Sequence, residues 1–176
     1  GTAGQNDDGL MLMRSEKDRL EHELVVNSIT QKLIHEGLEP RRPSKPLLAK
    51  FGKLVHLHTP IQAVIKNQKA LLLAEQLHPT PAVAGLPKKI AMDWLRTLEP
   101  FERGNYAAPI GWIDNKQDAE LRVAIRCGKS RGLTIELTAG AGLVNGSIAE
   151  KELEEVKLKL AILANQLQLL QVTNSI

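Results

Sequence analysis

One cysteine, Cys127, stands in 176 residues, which excludes an internal disulfide and fits a reducing compartment. Aromatic side chains are almost as scarce: two Trp, two Phe and one Tyr, 3% of the chain. That leaves no stacking platform for nucleic-acid bases. Net charge is small too, 23 Lys and Arg against 20 Asp and Glu for +3, and no basic stripe accompanies the pI near 9.0. Nucleic acid is therefore excluded as a partner. No apolar run approaches the roughly 20 residues of a membrane span, and no signal-peptide pattern is present. The expected location is the cytoplasm, or the plastid stroma if the source is a plant or alga, with no membrane partner. The chain opens on Gly1 rather than methionine, which points to a piece of a longer protein.

Hydrophobic residues make up 43%, enough for a globular fold with a real core. Residues 1–13 read as a loop entering a helix. Leu20, Leu24, Ile29 and Leu33 then mark an amphipathic helix from Arg14 to about Glu36, with Gly37 as its stop. Residues 52–58, GKLVHLH, alternate like a strand, with Leu54, His56 and His58 on one side. Ile61 to Leu77 is apolar at helical spacing, and His78-Pro79-Thr80-Pro81 is an extended break. Pro87 opens a helix to about Leu98. Three strand-like runs follow, 105–114, 119–127 and 133–139, with turns at 115–118 and 128–132. They predict an antiparallel meander with Arg122, Ala124 and Arg126 on one face of its middle strand. A last helix from about Ser147 to Gln168 carries an apolar stripe of Leu153, Val156, Leu160, Leu163 and Leu167. The class is α+β, helices packed on a mostly antiparallel sheet.

The stretch from Thr134 to Lys159, TIELTAGAGLVNGSIAEKELEEVKLK, is the most informative about function. A strand runs into an Ala-Gly-Ala-Gly turn, where glycines let backbone approach a ligand with no Cβ in the way. Glu152, Glu155 and Lys159 follow at spacings of three and four, on one helix face. Two carboxylates and an ammonium beside such a turn could hold a small anion together with a hard metal ion. The plain alternative is a Gly-rich strand exit followed by a solvated helix.

Seven blocks extend the pattern: SEKDRLEHELVV (15–26), VHLHTP (55–60), LHPTPAVAGLP (77–87), LEPFERGNYAAPIGWID (98–114), VAIRC (123–127), TAGAGLV (138–144) and ELEEVKLKL (152–160). In this order and at this spacing the chain resembles the chorismate-utilising enzymes, isochorismate synthases above all. The opening Gly1-Thr2 is similar to the end of the family's Ala-Gly-Thr turn. The resemblance implies the C-terminal half of the chorismate-utilising enzyme fold over residues 1–165, followed by a helix end and tail, 166–176.

Such enzymes add a nucleophile at C2 of chorismate, a small dicarboxylate, while the C4 hydroxyl leaves. With water the product is isochorismate. The resemblance implies Mg²⁺ as cofactor, with Glu21 and Glu155 as ligands and Glu152 on a metal-bound water. For Glu21 the local alternative is a surface carboxylate pairing with Arg14 or Lys17. Arg126 and Tyr106 match residues that grip the enolpyruvyl carboxylate, the arginine through its bidentate fork. A solvent-facing strand arginine and a half-buried strand tyrosine are the local alternatives. Gly140 and Gly142 would offer backbone N–H groups, and Lys159 positive charge near the ring carboxylate. Gly1, Thr2 and His56 would line the pocket. His58 is expected to be an ordinary polar residue and Cys127 a small buried one. Ala82 stands where the ammonia-using and salicylate-forming relatives carry threonine, which favours water as nucleophile and isochorismate as product.

The family's general base, a lysine, and general acid, a glutamate, lie upstream of the Ala-Gly-Thr turn. No catalytic acid or base is therefore expected among these residues, and the chain alone is expected to be inactive. Its expected partner, besides chorismate, is the N-terminal half of the same enzyme. Without covering layers the meander would leave an apolar face open, so the isolated chain is expected to be poorly soluble or partly molten. Two alternatives stand beside an isochorismate synthase. One is an anthranilate, aminodeoxychorismate or salicylate type of synthase; the other is a non-catalytic relic that binds chorismate.

Overall fold

The computed structural model describes residues 2–4, 9–51, 54–66 and 68–169. They fall into two compact units, Gly1–Glu102 with Gly111–Leu121, and Arg103–Ile110 with Arg122–Ile176. Gly1 and the tail beyond residue 169 lie outside the described residues.

In the first unit, strands β1 (Thr2–Gly4), β2 (Leu47–Phe51) and β3 (Leu54–His58) form an antiparallel sheet with β3 in the middle. Register pairs Thr2 with His56 and His56 with Ala49. Leu54, Val55 and Leu57 are all buried, so both faces of β3 are covered and its alternation does not separate core from solvent. Gly9 packs so closely on Val55 and Leu48 that a Cβ there would press on both, and its φ of +78° suits glycine.

Helix α1 (Leu10–Arg14) ends at Ser15, where helix α2 (Glu16–His35) begins. The Ser15 hydroxyl accepts from Asp18 N at 3.2 Å, with Glu16 and Asp18 in the first turn and Lys32 and His35 in the last. Gly37, at φ +75°, and the bond from Leu38 N to Leu33 O close the helix. The sequence therefore marked both ends of α2 well, although residues 10–14 form a separate short helix and Thr2–Gly4 a strand where a loop was expected.

Only the last part of Ile61–Leu77 is helical, as α3 (Ala70–Leu77). Gln62 instead bonds to Arg41 through both backbone groups, at 2.7 and 2.9 Å, in an extended bridge. Ile61 and Ala63 thereby reach the core of Leu33, Leu38 and Leu73. Their apolar character serves packing rather than helical periodicity. Helices α4 (Pro81–Ala84) and α5 (Lys88–Leu98) follow in the same unit, with Pro87 as N-cap of α5.

The expected three-stranded meander is instead two hairpins. Strands β4 (Pro109–Ile113) and β5 (Ala119–Val123) pair around a turn in which Asp114 Oδ1 accepts from Lys116 N and Asp118 N. Strands β6 (Cys127–Arg131) and β7 (Thr134–Thr138) pair separately. Residues 128–131, expected to turn, belong to β6. The middle strand breaks at 125–126, where Ile125 N bonds back to Val123 O and Arg126 adopts φ +50°, a left-handed conformation, before a new ladder starts at Cys127. Cys127 is half-buried rather than buried. All described pairings are antiparallel, and helix α6 (Ala149–Gln166) packs on β7, so the α+β class holds.

Candidate functional site

The second unit holds seven of the expected site residues, Tyr106, Arg126, Gly140, Gly142, Glu152, Glu155 and Lys159. Its frame is a link between Ala107–Ala108 and Ala124, made by Ala107 N to Ala124 O and Ala124 N to Ala108 O, each 2.8 Å. Ala107 is buried and left-handed at φ +66°. Two left-handed residues, Ala107 and Arg126, thus flank the link on its two chain segments. Tyr106 consequently sits in a turn, its N donating to Arg103 O at 2.7 Å, and not in a strand as expected. Arg126 likewise lies between β5 and β6 rather than on a strand face.

Beyond β7 the chain passes through residues 139–144 without regular structure. The Ala-Gly-Ala-Gly segment, 139–142, is therefore not the turn that was expected; the chain turns at Val144–Ser147, where Ser147 N donates to Val144 O and Gly146 takes φ +89°. Gly140 matters through room: a Cβ there would stand 2.7 Å from the Tyr106 hydroxyl. Gly142 is half-buried in the same segment.

Helix α6 turns its charged face inward. Glu152 and Lys159 are buried, at 7% and 8% exposure, while Leu153, Leu158 and Leu167 are exposed. The expected apolar stripe is thus not the most buried side of this helix. The reason is local: Lys159 Nζ donates to Gly140 O at 2.9 Å and pairs with Glu155 Oε1 at 2.7 Å. One ammonium thereby joins α6 to the segment that Tyr106 touches. Burial lowers the Arg126 guanidinium below its ordinary value, and the Glu155 carboxylate raises it back in part. Arg126 therefore lies within electrostatic reach of Glu155. A carboxylate, an ammonium, a guanidinium and a phenol sharing one corner can bind a small anion beside a cation.

The first unit holds the remaining candidates. Thr2 and His56 are cross-strand partners, and His56 is half-buried. Glu21 is half-buried on α2. Ala82 is exposed on α4, whose next residue but one, Ala84, is fully buried. His58 is exposed, at the end of β3.

The residues suit a hard cation by their chemistry, since Glu152 and Glu155 offer oxygen donors one turn apart. Mg²⁺ takes one or two carboxylates and keeps several waters. Among the described residues no group of three or more His, Cys, Asp and Glu side chains is placed to hold a metal. The pair on α6 is the fit the structure offers.

Sequence reasoning passed over two contacts. Arg103 stacks over the Tyr106 ring at 5.8 Å, and its place three residues before the tyrosine, on opposite ends of a turn, was the available signal. His22 Nε2 and Thr59 Oγ1 share a 2.7 Å hydrogen bond that ties α2 to the end of β3. No local pattern announces a contact across 37 residues.

The family model for chorismate binding enzyme matches residues 2–168. Isochorismate synthase MenF of Bacillus subtilis (strain 168) is 43% identical over 153 residues, 86% of this chain and 32% of its own length. Isochorismate synthase EntC of Escherichia coli (strain K12) is 40% identical over 158 residues, 89% of this chain and 40% of its own. Among solved structures, DhbC from Bacillus anthracis superposes with a TM-score of 0.88 at 34% identity, over 96% of this chain and 48% of that one. Menaquinone-specific MenF from Escherichia coli gives 0.82 at 34%, over 95% and 40%. The chain spans about a third to a half of the length of these proteins.

Proposed function

The chain belongs to the chorismate binding enzyme family, and we propose that it is the C-terminal, metal-binding portion of an isochorismate synthase. Water adds at C2 of chorismate and loses a proton. The C4 hydroxyl gains one and leaves as water, so substrate and product are isomers. The product would feed menaquinone or siderophore synthesis, uses named for relatives of this chain, in the cytoplasm.

One observation carries the proposal: Tyr106, Arg126, Gly140, Glu155 and Lys159 come together in the second unit. Arg126 and the Tyr106 hydroxyl hold the enolpyruvyl carboxylate. The Arg126 fork makes two parallel bonds to it, and partial burial strengthens them. Lys159 and the Gly140 backbone meet the ring carboxylate. Glu155 and Glu21 would hold Mg²⁺, and Glu152 would act on it through a water. When bound, the metal supplies a clamp and charge stabilisation for the ring carboxylate. By the family's pattern Gly142, His56, Thr2 and Gly1 are further proposed substrate-binding residues, and Ala82 favours water rather than ammonia as the nucleophile. These residues bind and orient. The proton-transferring pair belongs to the upstream part of the family's enzymes.

The test is a chromatographic assay of chorismate with Mg²⁺, run on this chain alone and together with the upstream half encoded at its locus. Isochorismate only from the two halves together supports the proposal. Isochorismate from the chain alone would show that an acid and a base lie within it. An aminated product in ammonium buffer would move the chain to the amine-transferring synthases.

A further inference from the structure

Glu155 is already engaged. Its Oε1 is paired with Lys159 Nζ at 2.7 Å, and the same ammonium donates to Gly140 O at 2.9 Å. The two side chains are largely withdrawn from water, 10% exposed for Lys159 and 24% for Glu155, so their attraction is only weakly screened. The Arg126 guanidinium also feels the charge of this carboxylate. Glu152, one turn earlier and buried, is the acidic neighbour on α6. A magnesium ion would sit about 2.1 Å from a carboxylate oxygen. At Oε1 it would face the Lys159 ammonium across a single atom, an arrangement of like charges that a half-dry site does not tolerate.

We infer that Lys159 is a positioning residue which closes Glu155 against cations in the ligand-free protein, and that Mg²⁺ binding releases its ammonium to the incoming carboxylate. The inference rests on the proposed role of Glu155 as a metal ligand. Each ligand then favours the state in which Lys159 has left Glu155, so Mg²⁺ and the anionic substrate raise each other's affinity. The bond to Gly140 O gives the ammonium a pivot. It can turn away from Glu155 without leaving the 139–142 segment.

The experiment is calorimetric titration of Mg²⁺ into the chain complexed with the upstream half encoded at its locus, first without chorismate and then with chorismate at saturation. It is run on the wild type, Lys159→Met, Lys159→Arg and Glu155→Gln. Without chorismate, Lys159→Met is expected to bind Mg²⁺ roughly tenfold more tightly than the wild type, and Lys159→Arg to stay within about threefold of it. The gain in Mg²⁺ affinity caused by chorismate should shrink in Lys159→Met. A lysine that merely props up the fold would give the opposite result, since its loss would loosen the metal site. Unchanged or weaker Mg²⁺ binding by Lys159→Met overturns the inference. Where that variant fails to fold, Lys159→Gln carries the same expectation, because its amide can still donate to Gly140 O. Glu155→Gln separates the two ideas. Mg²⁺ binding that survives this change removes both the ligand role and the inference. If it is lost while Lys159→Met gains nothing, the ligand role stands and the inference alone falls.

Discussion

Gly140 shows how one missing Cβ can serve a site. Its backbone is not left-handed, so alanine would fit conformationally, yet a Cβ would stand 2.7 Å from the Tyr106 hydroxyl. The far end of a tyrosine side chain can move aside cheaply, so Gly140→Ala should cost about 1 kcal/mol of stability or less. The displaced phenol, however, is the group proposed to hold the enolpyruvyl carboxylate. Misplacing a binding group by a fraction of an ångström should weaken chorismate binding on the order of tenfold. Titration of chorismate in the presence of Mg²⁺ measures this, and unaltered binding would remove Tyr106 from the pocket. Gly85 is the contrasting case. Its φ of +74° and ψ of −179° lie in a region open essentially to glycine alone. Its Cβ would also stand 2.8 Å from Ala91 Cβ on α5. Strain and clash act together, so Gly85→Ala should lower stability by about 1–3 kcal/mol, read from the thermal midpoint.

At the scale of elements, the C-terminal end of α3 collects cations. Lys32 on α2 donates to Gln76 O at 2.8 Å, and Lys88 at the start of α5 reaches His78 O at 3.5 Å. These suit the carbonyl end of the helix, but they crowd His78. Burial, then Lys88 and Lys32, hold its imidazole below the ordinary value of 6.5. A histidine depressed in the folded state binds its proton more readily when unfolded. The folded state therefore loses stability as pH falls through 6.5 towards the lowered value, and is unaffected above it. The thermal midpoint should thus drop between pH 7 and pH 5, and Lys88→Met should flatten part of that drop. A slope identical in the two proteins would remove Lys88 from the account. Elements also show what the sequence could disclose. Ser15 and Gly37 bracket α2 because caps are local chemistry. Strand β2 went unread because Leu47–Phe51 has no alternation and exists through its pairing with β3. The break at Arg126 was invisible because nothing in Val-Ala-Ile-Arg-Cys demands a positive φ there. The five residues of the corner were nameable as candidates from the family's wording. That Lys159 would bind Gly140 O and Glu155 at once was not, since it depends on where α6 lands beside β7.

For the whole molecule the question is what its exposed apolar surface does in water. Every residue of β4 is exposed, with Ile110 at 53% and Trp112 at 54%. Leu133, Leu143 and Val64 are also open to solvent. Buried apolar residues among those described are few, and none of the large side chains is fully enclosed. An exposed strand carrying isoleucine and tryptophan invites pairing with another chain. The relatives are two to three times as long, so polypeptide exists in them that could cover such a face. Studied alone, the chain should bind a hydrophobic dye, sediment as a concentration-dependent mixture, and melt broadly with weak near-UV dichroism. Ile110→Thr with Trp112→Ser should reduce dye binding and self-association without altering the corner formed by Glu155, Lys159 and Gly140. Addition of the upstream half should suppress the dye signal in the unmodified chain and sharpen its melt. A monodisperse monomer with a sharp, cooperative melt would show instead that the core of α2, α3 and the three-stranded sheet is sufficient, and that β4 is an ordinary solvated hairpin.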